Sequence, residues 1–240
     1  RLLAFGCLIF FAANALASSN WEQDLNAISD RSPESLLFFL DETLRQQDYL
    51  EDLEAQVSIR LYKAKIHRDS GSYEDALSEL RAANSVASKA LRPDLQGEIV
   101  LTQGTIRAEQ GKLPDAIDNF HQARKLALSQ QNQNAELSAL NALGVAYLYA
   151  RNPERAVEYL EQAKSLAQLL NNKGRELVAV GNIGTALADM KQTEASLKMH
   201  RKAYALSIEL GSTSPPSGET IYQQANICSR LFELNRLEEA

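Results

Sequence analysis

Glycine stands at the evenly spaced positions 104, 144 and 184, and Ala64 holds the equivalent place one period earlier. The register extends well beyond that column. Three residues on come His67, Arg107, Tyr147 and Leu187, and seven on come Gly71, Gly111, Arg151 and Lys191. Twelve on come Ala76, Ala116, Ala156 and Ser196; sixteen on, Leu80, Phe120, Leu160 and His200; nineteen on, Ala83, Ala123, Ala163 and Ala203. Six columns in register over four copies confine the chain to a repeat architecture, in which each unit buries its apolar face on its neighbours. Small residues recur where two helices must approach closely, because a larger side chain would hold the backbones apart. Gly104, Gly144, Gly184, Ala116, Ala156, Ala123, Ala163 and Ala203 are therefore assigned to helix packing.

Each unit reads as two helices. Aromatics make up only 7% of the chain, against 45% hydrophobic residues overall, and Gly and Pro number 11 and 6. That balance favours helix over strand. Leu137, Leu140, Leu143, Gly144 and Tyr147 follow helical spacing along one face. Gly71 and Gly111 fall where a left-handed residue closes a helix. Ser72 with Asp75 has the form of a capping box, and Asn152 before Pro153 puts a cap ahead of a proline at the first helical position. The first helices are expected at about 50–69, 95–110, 134–150, 174–190 and 218–234, and the second at about 73–90, 113–131, 153–171 and 193–210. Breakers fill the connectors: Arg92-Pro93-Asp94, Asn132-Gln133-Asn134, Asn171-Asn172-Lys173-Gly174, and Gly211 to Gly218 with Pro215-Pro216.

Leu143-Gly144-x-x-Tyr147 followed by Ala156, Leu160 and Ala163 resembles the tetratricopeptide repeat, and so does Gly104…Gly111…Ala116…Phe120…Ala123. The 40-residue period is similar to the long-helix variety found in kinesin light chains and bacterial regulatory proteins. The resemblance spans about residues 50–240 and implies an all-α fold, a right-handed α-α superhelix of antiparallel helix pairs. It departs from the family pattern at Ala64 and His67 in the first copy and at Ser196 and His200 in the fourth. The consensus tryptophan and closing proline are absent.

The two ends read differently. Arg1, the apolar run Leu2 to Ala13, and Asn14-Ala15-Leu16-Ala17 form a secretory signal pattern over residues 1–17, with cleavage expected after Ala17. The mature chain is then expected in a bacterial periplasm. Its remaining cysteine, Cys228, is expected as a small buried residue of the core. Residues 18–48 are expected to supply a helical cap, with Ser32-Pro33-Glu34-Ser35 opening a helix over about 36–46; repeats 1–4 occupy 49–212. A fifth copy at 213–240 starts with Cys228, Leu231 and Asn235, set out of the strict register by the Pro215-Pro216 connector, and breaks off inside the repeat. With the missing Met, the chain is expected to be a piece of a longer one.

No motif for catalysis emerges, and neither a cofactor nor a metal is expected. His67, His121 and His200 lie on helices that cannot easily bring them to one ion. Gly104 to Gly111-Lys112 lacks the spacing and the Ser/Thr of a phosphate loop. His200 is expected as a satisfied interior histidine, and Glu51-Asp52 as part of a solvated helix face. The net charge of −6 and a sequence pI of about 5.2 argue against nucleic acid, whose phosphates call for a cationic surface. What remains is a binding surface.

The resemblance implies that the first helices line a concave groove for a protein or peptide segment. One turn either side of each small residue, that face carries Lys65 and Arg68, then Leu101, Thr105 and Glu109. It continues with Asn141, Val145 and Leu148, with Gly181, Thr185 and Asp189, and with Ala225 and Ser229. Asn182 and Asn226 stand two residues before the small position, where long-repeat relatives often carry Asn. A carboxamide can hold a peptide backbone whatever its sequence, since it both donates and accepts. The expected function is a non-catalytic binding scaffold. The alternative is the sensor region of a membrane-bound signalling protein, diguanylate cyclase or histidine kinase, with a transmembrane helix and catalytic domain beyond Ala240.

Overall fold

A computed structural model describes residues 21–89, 92–211 and 218–236. The signal pattern at 1–17 lies outside them, as do the second-helix residues of the fifth copy beyond Arg236. The described residues form helices and no strands, in two compact units that divide between Arg92 and Pro93.

The first unit contains α1 (Trp21–Asn26), α2 (Pro33–Arg45), α3 (Gln47–Leu50), α4 (Leu53–Asp69) and α5 (Tyr73–Lys89). Ser32 caps α2 through the Ser35 amide, with Pro33 in the first turn, so the helix starts three residues before its expected position. Asp52 caps α4 by accepting from the Ala55 amide at 2.9 Å. It is thus a helix start, not part of a solvated face. Trp21, Leu25, Leu40, Tyr49 and Ile59 share one apolar cluster, with Trp21 edge-on to Tyr62, so α1–α3 cover α4. Ala64 and Leu80 are both fully buried where α4 meets α5.

An ion network runs through this unit. The buried Lys63 ammonium donates to Asp41 of α2 at 2.6 Å and to Glu79 of α5, which also accepts from Arg60 at 3.0 Å. Removing one partner of a buried pair strands the other charge. Glu79→Ala is expected to lower unfolding free energy by about 3 kcal/mol, whereas the double change Lys63→Met with Glu79→Leu, which removes both charges of the pair, stays within about 1 kcal/mol of wild type. Urea unfolding of both variants checks this. Equal losses would assign net stability to the pair itself.

The second unit contains α6 (Pro93–Glu109), α7 (Leu113–Ser129), α8 (Gln133–Tyr149), α9 (Pro153–Leu169), α10 (Lys173–Asp189), α11 (Thr193–Leu210) and α12 (Gly218–Glu233). Each helix packs on the next, and the first helices also touch each other, α6 on α8 and α8 on α10.

The turns show a finer period than the side chains do. From α4 to α11, helices begin at 53, 73, 93, 113, 133, 153, 173 and 193, an even spacing half that of the side-chain register. A left-handed residue sits in the turn at Gly71, Gly111, Gln131, Arg151, Asn171 and Lys191. At each, the left-handed residue donates back three residues and its successor donates back five, as Arg151 to Leu148 and Asn152 to Tyr147. These two bonds close the helix. The successor then opens the next helix: the side chains of Asn132, Asn152 and Asn172 accept from the amides of Ala135, Arg155 and Arg175. One asparagine serves two helices, which is why α7 and α9 end at 129 and 169, two residues before their expected limits.

Between the helices of each pair the small column does what its spacing requires. A β-carbon at Gly104 would stand 2.5 Å from Phe120 Cε1, and one at Gly184 would stand 2.8 Å from His200 Cε1. At Gly144 it would overlap Leu160 Cγ. Ala116, Ala123, Ala156, Ala163 and Ala203 are all buried. Cys228, equivalent to Gly184, is exposed and not in the core.

His200 is only half satisfied. It is fully buried, its Nδ1 lies 2.9 Å from Gln223 Oε1 of α12, and Nε2 has no partner. Burial pushes its pKa below the usual 6.5, opposed by the Gln223 bond and reinforced by the positive Arg230. The unfolded chain therefore binds this proton more readily than the folded one. The stabilisation from neutral His200 is complete above about pH 6.5 and falls away as pH drops toward the lowered folded-state value. His200→Leu should flatten that loss of melting temperature between pH 7 and 5. An unchanged slope would place the titrating group elsewhere.

Candidate functional site

On the first-helix face of the second unit, α6 and α8 run in the same direction, each linked through α7 by a reversing turn. Between them lies a slot of about 740 Å³. Typical ligand pockets measure roughly 300–1,000 Å³. Leu101, Thr105 and Glu109 of α6 and Asn141 and Val145 of α8 line it, as the repeat register places them; Leu148 does not. Ala108, Ala142 and Ala146 leave its volume open, and Tyr149 stands exposed at one end.

Asn141 is the unusual member. It is 5% exposed, it lines the slot, and neither Nδ2 nor Oδ1 has a partner among the described residues. A buried amide with both functions unmet costs about 1–3 kcal/mol. Thr105, beside it, has its hydroxyl hydrogen committed to the Leu101 carbonyl at 3.2 Å and keeps lone pairs for a donor. Its repeat equivalent Thr185 donates to Gly181 in the same way but lies outside the slot.

Sequence reasoning missed Arg175. It belongs to α10, two residues past the first, and reaches the slot from the next repeat. Its backbone is held by the Asn172 cap, while its exposed guanidinium has no ion pair among the described residues. Its repeat equivalent is Ala135, at the start of α8, a position that no column of the register marks.

The other expected groove residues are not gathered there. Lys65 and Arg68 belong to α4 in the first unit, and Arg68 pairs with Asp69. Asn182 is half-buried on α10, and Asn226 Nδ2 donates to the Tyr222 carbonyl of its own helix. The slot does not continue along α10, because Gln223 fills that space. Its Nε2 would stand 2.6 Å from a β-carbon at Gly181, the equivalent of Asn141. Among the described residues no group of three His, Cys, Asp or Glu side chains is placed to hold a metal.

Comparison with known proteins bears on the fold. A family model for the tetratricopeptide repeat matches residues 98–168. The crystal structure of BtubC from P. vanneervenii is similar at 19% identity, with a TM-score of 0.72 over 93% of this chain and 87% of that one. A kinesin light chain repeat protein from Podospora anserina matches at 13% identity, with a TM-score of 0.64 over 80% and 95%. A Rap protein in complex with competence and sporulation factor matches at 11% identity, with a TM-score of 0.65 over 96% and 69%. The chain has no match among curated protein sequences. Residues 98–168, which include the slot lining from both first helices, match the tetratricopeptide repeat, and helix pairs of the same fold lie before and after them.

Proposed function

We propose that the chain is an exported, non-catalytic module that docks an extended segment of another protein in the slot between α6 and α8. Asn141 carries this reading: a ligand backbone would supply both the donor and the acceptor that its carboxamide lacks. Asn182 and Thr185 on α10 and Asn226 on α12 lie past the point where Gln223 closes the slot, so they would meet only a segment that runs on beyond it. Export rests on the signal pattern at 1–17. The same docking would serve the sensor region of a membrane-bound signalling protein.

A photoreactive residue placed at Val145, in the slot, tests the docking against one at Ser165 on the second-helix side. Val145 adducts with proteins of a bacterial envelope extract, lost on Asn141→Leu and absent from Ser165, are the expected result. Equal yields at both sites would sink the reading.

A further inference from the structure

The slot is electrically lopsided along its length. Arg175 and Ser138 stand at the end where α8 and α10 begin, and Glu109 and Tyr149 stand at the end where α6 and α8 finish. Arg175 is the one cation lining the slot among the described residues, and Glu109 the one anion. Helix N-termini carry partial positive charge and C-termini partial negative charge, so the backbone adds to the same gradient. Between the two ends the walls are mainly aliphatic, with Leu101, Ala142 and Val145 around the Asn141 carboxamide.

Length can be read off the helix. From Ser138 to Tyr149, α8 rises by about three turns, roughly 16 Å. An extended chain covers that in about five residues.

Resting on the docking reading, we propose that the occupant is an extended segment of about five residues with an apolar side chain seated among Leu101, Ala142 and Val145. A carboxylate side chain, Asp or Glu, meets Arg175, and the two occur in one fixed order. Arg175 has the geometry for a paired contact, because a guanidinium presents two parallel N–H groups to a carboxylate. No intramolecular acid occupies it among the described residues. A basic residue at that end would face a like charge, which discriminates against the wrong segment while the pairing favours the right one. The selectivity is local. The protein as a whole has a net charge of −6, so nonspecific attraction would favour basic segments instead.

The test is selection by the whole chain from a phage library of random pentapeptides flanked by Gly-Ser. Retained sequences are expected to be enriched at least tenfold for Asp or Glu at one position, at a constant distance from an apolar residue. The exposed charge reversal Arg175→Glu should move that enrichment to Lys or Arg, with the apolar preference and the circular dichroism spectrum unchanged. Retained peptides with no acidic preference, or a preference that survives Arg175→Glu, would overturn this inference and leave the docking reading standing. If wild type retains no sequence while circular dichroism shows it folded, both fall.

Discussion

Gly144→Leu is expected to lower the unfolding free energy of the second unit by about 3 kcal/mol, at the upper end of the range for overpacking. Even a β-carbon at Gly144 would overlap Leu160 Cγ, and Leu160 is fully buried, so the neighbour has nowhere to go. Two effects oppose each other in the milder change Gly144→Ala. Alanine gains about 1 kcal/mol of helix propensity over glycine, and the clash with Leu160 outweighs it. Combining Gly144→Ala with Leu160→Ala gives the new methyl its room. The double variant should then be more stable than the sum of the single losses, by a coupling of about 1 kcal/mol or more. Thermal unfolding of the four proteins in this cycle supplies the number. Strict additivity would mean that α8 and α9 do not meet through this pair.

Asn141→Leu is expected to do two opposite things. Removing a buried carboxamide with neither function paired should raise stability by about 1 kcal/mol, roughly 2–4 °C in melting temperature for a chain of this size. The same change should weaken docking at least tenfold, because leucine offers nothing to a ligand backbone and fills part of the slot. A site that costs stability when empty and gives affinity when filled is the pattern expected of a functional residue. A drop in melting temperature together with unchanged binding would instead make Asn141 a structural residue.

The long register was legible because it is written in side chains. Gly104, Gly144 and Gly184 must be small, and each faces the large residue sixteen positions on, a chemical constraint that composition carries openly. The shorter period of the turns was less so. It is written in backbone hydrogen bonds, and the left-handed position accepts Gln131, Arg151 and Lys191 as well as glycine. No residue type announces it. The slot was partly legible for a similar reason. Its α6 and α8 walls lie at fixed offsets from the small column, whereas Arg175 enters from a neighbouring repeat at an offset no column marks. His200 shows the limit in another form. Its column matches its burial, but its partner Gln223 comes from a helix whose spacing to α11 breaks the period, so no column points to that bond.

The asparagines that end one helix and begin the next have a consequence for how such a chain can change length. Asn132, Asn152 and Asn172 leave no slack: one extra residue within a helix would turn every later side chain of that helix by about 100° around its axis. The turn would then present the wrong residue to both of its neighbours. Growth and loss are therefore quantised, in whole helix pairs with their turns, because the packing columns repeat only once per pair. The spacing departs from this only before α12, which starts at Gly218, later than the period running from Thr193 would place it. That junction is where insertions can be absorbed without rewriting the pattern, and where fusions and permuted termini should be placed first.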